Sequence, residues 1–205
     1  MLREMLHAFA QYKTLTAVFI AASILMLVTL FFAVRAVRRH NRERDAVLNR
    51  LKEEERLRKK YETLTPALAQ SADSAELLHA LGLRIQKALE NEPDLNASFL
   101  ALPEPKQYVY ALNYVFCEDT KTLSAFFRTY GTPLTDTALR AAETILPDFA
   151  ERIFRPAFAM FDDNNETVSC TKESVQKVDE AFSATDKTIL YDSIKTYILD
   201  NLQVF

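Results

Sequence analysis

The chain is poor in glycine, with only Gly82 and Gly131 among 205 residues. Neither a GxGxxG nor a GxxxxGK[ST] motif can be written with so few, so the glycine-rich turns that hold nucleotide phosphates are excluded. This scarcity, with long stretches rich in Ala, Leu, Glu, Lys and Arg, favours a helical protein. The length allows one ordinary domain plus an appendage, with enough residues to bury a core.

Histidine and cysteine, the usual metal ligands and nucleophiles, are also scarce. Beyond residue 64 there is one histidine, His79, with no Cys, Asp or Glu at a metal-ligand spacing such as HExxH. Cys117 and Cys170 form no CxxC motif and are expected to be free thiols in a reducing cytoplasm. A GxSxG nucleophile elbow is absent from the sequence. We therefore predict no enzyme, no cofactor and no metal site.

One acidic segment invites comparison with a calcium-binding loop. Asp162, Asn164, Glu166 and Glu173 fall at positions 1, 3, 5 and 12 of the twelve-residue pattern. Position 6, where the loop turns sharply and requires glycine, is Thr167. The segment is therefore interpreted as a polar loop between helices.

The clearest positive feature is the stretch 14–34, which has no charge, proline or glycine. A helix of this length spans about 30 Å, the thickness of the hydrocarbon core of a bilayer. A cleaved signal peptide would have a shorter apolar run and a small-residue cleavage site, whereas this run ends directly at Arg35. The sequence thus predicts a retained transmembrane helix after a short N-terminal tail, 1–13.

The flanking charges predict an orientation. Many arginines follow the apolar run, whereas only Arg3 and Lys13 precede it as cations. By the positive-inside rule, the N-terminus is expected outside and the C-terminal part in the cytoplasm. The expected location is the cell (inner) membrane, with the lipid bilayer as one partner.

The stretch 35–64 is highly charged and is predicted to form a helical stalk. Leu48, Leu51, Leu57 and Tyr61 have partial three- and four-residue spacing, but charged residues interrupt it at 53–56. A coiled coil requires at least three or four sustained heptads. Two interpretations stay open, a solvated stalk and a weak coiled coil that forms a homodimer.

The stretch 65–205 shows repeated amphipathic helices and no sustained alternation typical of strands. Asp73 and Glu76 have the spacing of a capping box, which predicts a helix start. Pro156 is expected to kink or split the helix in which it lies. Gly131 is expected to end a helix in the left-handed conformation. The clearest apolar stripe comprises Leu77, Leu78, Leu81, Ile85 and Leu89. Aromatic residues between 108 and 130 also have helical spacing and are interpreted as core.

The predicted fold class is all-α: an N-terminal transmembrane helix, a charged helical stalk and then a multi-helix globular domain. Charge is divided unevenly along this chain. Residues 1–60 hold 13 basic and 6 acidic residues, and residues 61–205 hold 12 basic and 22 acidic residues, a net charge of −10. Such a domain repels the phosphate backbone, so direct nucleic-acid binding is disfavoured.

Four motifs follow one another in the acidic domain. They are LPEPKQYVYAL at 102–112, LSAFFRTYG at 123–131, VDEAF at 178–182 and YILDNL at 197–202. Their order resembles the DNA mimic protein 19-like domain family, small bacterial all-α domains, over 99–205. Where that family has an Asn-Gly-Gly turn, this chain has Thr120-Lys121-Thr122, so a function specific to that turn does not carry over.

The resemblance implies a function. The namesake of the family is an acidic dimer that imitates DNA and occupies the DNA-binding surface of a transcription factor. For this chain it implies an acidic surface that engages a basic protein, such as a DNA-binding regulator. The carboxylates expected on that surface are Glu118, Asp119, Asp162, Asp163, Glu166, Asp179 and Glu180. The alternative is an acidic face that only keeps the domain soluble.

Three functional hypotheses result. The first is a non-enzymatic, single-pass membrane protein that presents an acidic protein-binding domain to the cytoplasm and tethers a basic partner. The second is a membrane scaffold or assembly subunit that dimerises through its stalk. The third is an enzyme with a carboxylate site, since adjacent carboxylates such as Asp162 and Asp163 can act as acid and base.

Overall fold

In a computed structural model, the chain is described over 2–117, 120–161 and 170–205, apart from the side chains at 2–11, 13–16, 19, 33–34, 36, 38 and 40–43. Every regular element in these ranges is helical, which confirms the all-α prediction for them. The α-helices are α1 Leu2–Lys60, α2 Pro66–Ser71, α3 Ser74–Leu89, α4 Leu95–Leu100, α5 Glu104–Phe116, α6 Leu123–Thr129, α7 Leu134–Ile145, α8 Pro147–Phe149, α9 Arg155–Phe161, α10 Lys172–Ala184 and α11 Lys187–Asp200. A π-helical segment, Ala150–Phe154, joins α8 to α9, and a 3-10 turn, Leu202–Val204, follows α11.

Helix α1 exposes apolar side chains to solvent. Every side chain from 20 to 32 is exposed, including Leu25 at 66% and Phe31 at 62%. Among the described residues, no helix is both long and apolar enough to cross a membrane. The transmembrane helix predicted at 14–34 is therefore wrong, and with it the single-pass part of the predicted fold class.

The described structure divides into two units, Met1–Glu53 and Glu54–Phe205. The second unit contains a hydrophobic core and begins within the last turns of α1. Leu57 is 4% exposed and Tyr61, directly after the helix, is 1% exposed. Both side chains fall in the stretch interpreted as a stalk, yet they are core residues of the second unit.

The second unit is built around α5, which is buried on all sides. Each residue from Gln107 to Asn113 is at most 9% exposed, as expected for a helix in a protein interior. Its buried Gln107 donates from Nε2 to the carbonyl oxygens of Leu100 (3.0 Å) and Leu102 (2.7 Å). Helices α3, α7, α11 and α6 pack against α5.

Helices α3 and α5 approach closely because Gly82 has no side chain. A Cβ atom at this position would lie 2.4 Å from Cγ of Asn113 and 2.8 Å from its Cβ. The Oδ1 atom of Asn113 lies 3.2 Å from Nδ1 of the half-buried His79, at hydrogen-bond distance. The apolar stripe predicted on α3 is confirmed, since all its members are buried. Their burial depends on the close approach at Gly82.

A second part of the core is aromatic. The ring of Phe116 lies 5.7 Å from that of Phe149 and 6.1 Å from that of Phe182. The ring of Phe154 lies 6.2 Å from Phe126 and 5.2 Å from Phe127. These contacts join α5, α6, the π-helical segment and α10, and they confirm that aromatic residues such as Phe116 and Phe126 are core.

Two local features concern proline and glycine. The helical backbone continues through Pro156, and the π-helical segment ends two residues before it. The wider turn accommodates a residue that has no N–H to donate.

The left-handed conformation predicted for Gly131 is wrong, because no described glycine has a positive φ. Helix α6 instead ends with Tyr130 in extended backbone, which needs no glycine.

The two glycines provide a matched test of the α3–α5 contact. We expect Gly82→Ala to lower the free energy of unfolding by about 1–3 kcal/mol, because the added Cβ overpacks a buried crossing. Gly131→Ala meets no atom within 4 Å, so it should be neutral or stabilising by up to about 1 kcal/mol. Urea unfolding of both variants measures the difference. Equal stability of the two variants would contradict the proposed role of Gly82.

Candidate functional site

The carboxylates expected on a partner-binding surface fall into two groups. Asp179 and Glu180 lie on α10 within the described residues. Those that lie outside the described residues are Glu118, Asp119, Asp162, Asp163 and Glu166. The segment compared with a calcium loop also lies largely outside, and its last member, Glu173, pairs with Lys177 at 2.9 Å.

Asp179 has an internal partner. Its Oδ1 accepts a hydrogen bond from the backbone N–H of Ser124 at 2.9 Å, and its Oδ2 accepts one from the Ser124 hydroxyl at 2.6 Å. Ser124 lies in the first turn of α6, where backbone N–H groups have no partner within the helix. The N-cap Thr122 accepts from the next N–H, that of Ala125, at 3.2 Å. Asp179 therefore caps α6 from α10 and joins the two helices.

Glu180 is exposed and accepts a hydrogen bond from Nε2 of Gln176 at 2.8 Å. Both Glu180 and Asp179 border an open groove of about 830 Å³ between α6 and α10. Arg128 and Lys172 border the same groove. Its charge is consequently mixed, so the groove does not by itself form the uniformly acidic surface expected from the sequence.

Three other carboxylates cap helices. Asp73 accepts from the N–H of Glu76 at 2.9 Å, Asp94 from that of Ala97 at 3.0 Å, and Asp186 begins α11 in the same way. Such caps satisfy backbone donors and oppose the positive end of the helix dipole. The cap predicted at Asp73 is confirmed. Part of the acidic excess thus stabilises the helices of the domain.

The remaining carboxylates of interest face solvent. They are exposed, and their side chains form no hydrogen bond or ion pair with any residue in the described ranges. We call this set the free carboxylates: Glu62, Glu90, Asp136, Asp148, Glu151 and Asp200. Sequence reasoning did not select them, because no local pattern separates a free carboxylate from one with a tertiary partner.

Glu76 is the centre of an ionic cluster. Its carboxylate accepts from Nζ of Lys60 and from the hydroxyl of Tyr61 at 2.7 Å, and Nη2 of Arg56 lies 3.6 Å away. The hydrogen bond from Lys60 lowers the pKa of Glu76, although partial burial opposes the shift. Glu76 therefore joins the end of α1 to the first turn of α3, where sequence predicted only a capping role.

The groups able to perform catalysis show no catalytic arrangement in the described part of the chain. No group of three or more His, Cys, Asp or Glu side chains there could hold a metal ion. Cys117 lies 3.3 Å from the hydroxyl of Thr120 and Cys170 is exposed, and both are free thiols. Burial raises the pKa values of Tyr110 and Tyr114, so both hydroxyls stay protonated at neutral pH.

Comparisons with known proteins give no further assignment. No family model, no curated protein and no solved structure matches the chain.

The Glu76 cluster predicts a pH dependence of stability. Because the pKa of Glu76 is lower in the folded protein than in the unfolded chain, its contribution is complete above the ordinary glutamate pKa of about 4.3 and is lost as the pH falls through the lowered value. Glu76→Gln should therefore be less stable than the wild type at neutral pH. This difference should shrink below a pH of about 4.

Chemical unfolding at a series of pH values measures this difference. Glu62→Gln is the control, because its carboxylate is exposed and belongs to the free set. A Glu76→Gln deficit that stays constant from neutral to acidic pH would show that the ionic cluster does not contribute.

Proposed function

We propose that the unit Glu54–Phe205 is a protein-binding module that engages a basic protein surface. The free carboxylates carry this proposal, since exposed acidic groups without internal partners are available to an oppositely charged surface. The unit has 24 acidic and 16 basic residues over 54–205, a net charge of −8. Because the sequence resembles the DNA mimic family, we expect the partner to be a DNA-binding regulator.

Part of the free set lies on elements that pack together. Asp148 and Glu151 are three residues apart along one continuous helical backbone, which places them on one side. Asp136 lies in the first turn of α7, which packs against α8 and the π-helical segment. Asp136 and Asp148 lie near opposite ends of α7, roughly 15 Å apart along the helix, and we expect the basic partner to bind across all three carboxylates.

The mechanism of such binding is electrostatic. A negative surface raises the rate of encounter with a basic partner and disfavours acidic ones. Exposed charge pairs contribute little individually, up to about 1 kcal/mol each. Salt screens them, because the Debye length falls from about 10 Å at 0.1 M ionic strength to about 3 Å at 1 M. Specificity on this surface arises from the arrangement of several charges.

A second candidate function is self-association through α1. Val47, Leu48 and Leu51 are apolar, and between 44% and 58% of each side chain is exposed. Leu57 and Tyr61 cannot extend this seam, because they are buried in the core. Exposed apolar surface of this kind favours association. We therefore expect a homodimer in which the stretches 44–53 of two copies pack together.

The first function is tested with a basic protein captured at low salt and then purified. Against that protein, the triple variant Asp136→Asn/Asp148→Asn/Glu151→Gln should bind roughly tenfold more weakly than the wild type, since up to three exposed charge pairs are lost. Raising NaCl from about 0.05 M to about 0.5 M should also weaken binding. A DNA duplex should compete with the chain for the same partner.

The matched control for this experiment is Lys87→Gln, which removes one exposed charge of the opposite sign. It should preserve or strengthen binding. Wild-type affinity in the triple variant, or binding that salt does not weaken, would contradict the proposal.

The second function is tested by light scattering and chemical cross-linking of the 205-residue chain. Leu48→Glu/Leu51→Glu should convert a dimer to a monomer, because two charges then face each other across the seam. Ile189→Glu is the control, since this side chain is 64% exposed but lies in the other unit. A dimer that persists in the double variant would overturn the assignment.

A further inference from the structure

An apolar pocket of about 210 Å³ lies where α3 meets the first turn of α5. Helix α3 contributes Leu81, Arg84, Ile85 and Ala88, whose spacing places them on one face. Leu81 and Ile85 are 1% and 5% exposed, so they form the floor. Leu102 and Phe205 line the sides and Lys106 completes the lining. The result is a hydrophobic recess with a cation on each of two helices.

The charge of this recess is opposite to that of the unit around it. Arg84 comes from α3 and Lys106 from α5, and no lining side chain is acidic. Within the described ranges, neither side chain forms an ion pair or hydrogen bond. Some cations elsewhere have internal partners: Arg155 pairs with Glu143, and Lys195 donates to the carbonyl oxygens of Gln70 and Ala72. In a unit of net negative charge, two available cations at one apolar recess indicate an anionic ligand.

We propose that this recess binds a small amphiphilic anion, a carboxylate with a short aliphatic chain. The carboxylate lies between Arg84 and Lys106, where an arginine fork matches its geometry. The aliphatic chain lies over Leu81 and Ile85 and is removed from water, which supplies most of the affinity. The volume is below the roughly 300–1,000 Å³ of sites for drug-sized ligands, which favours a short, unbranched chain.

The ligand class predicts a dependence on chain length and on charge. Along the series butanoate, hexanoate and octanoate, each added methylene should tighten binding about fourfold until the recess is full. Octan-1-ol, which lacks the charge, and inorganic phosphate, which lacks the chain, should both bind at least about tenfold more weakly than octanoate. Bound octanoate should also raise the melting temperature, since it binds only the folded chain.

The experiment follows the methyl resonances of Leu81 and Ile85 by NMR in the 205-residue chain during titration with octanoate. These methyl groups lie in the recess, so their shifts report binding there. Octanoate that associates with the exposed apolar side chains of α1 is expected to shift resonances of α1 instead. Saturable shifts of both residues are expected. Arg84→Gln/Lys106→Gln should reduce the affinity about tenfold or more, because charge-assisted hydrogen bonds are lost.

Two further variants complete the test. Lys87→Gln removes a cation of α3 that lies outside the recess and should leave the affinity unchanged. Ala88→Leu fills the recess from an exposed position and should abolish the shifts while the fold, checked by circular dichroism, is retained. The proposal is overturned if Lys87→Gln and the Arg84/Lys106 variant lose affinity equally. It is also overturned if octan-1-ol binds as tightly as octanoate, or if octanoate does not shift Leu81 and Ile85.

Discussion

The close approach of α3 and α5 is the constraint on which the compact unit depends. Gly82 allows it, because any side chain at this position would overlap Asn113. Residues 107–113 of α5 can then be buried, and the side-chain amides of Gln107 and Asn113 have polar partners inside the protein. The other helices pack around this pair, and the recess between Arg84 and Lys106 lies beside the same crossing.

Acidic residues have two distinct roles in this protein. Asp73, Asp94 and Asp186 cap helices, while Asp179 and Glu76 join elements distant in sequence. These carboxylates contribute to the fold and are less available to a partner. The free carboxylates remain available to a partner. The net charge of the unit therefore overstates how many carboxylates a partner can reach, because some of them stabilise the fold.

Sequence patterns predicted the features that depend on local periodicity. The stripe of α3, the aromatic core and the Asp73 cap are examples, because helical spacing and capping are properties of neighbouring residues. The transmembrane helix at 14–34 is wrong, since the described residues contain no helix long and apolar enough to cross a membrane. The sequence pattern places Leu57 and Tyr61 in a stalk because charged neighbours surround them, yet both are buried. Gly131 does not have the left-handed conformation predicted for it, because α6 ends in extended backbone at Tyr130.

By itself, the sequence determined the all-helical class of the described residues, the division of charge between the two parts of the chain, and the exclusion of glycine-rich phosphate-binding turns. The tertiary structure decided which carboxylates have partners and which cations converge on one recess. Asp179 meets Ser124 across 55 positions, and Ser74 donates to Asp192 across 118. Helix formation depends on residues within a few turns, whereas such pairs depend on how helices pack, and packing is decided by the whole core at once.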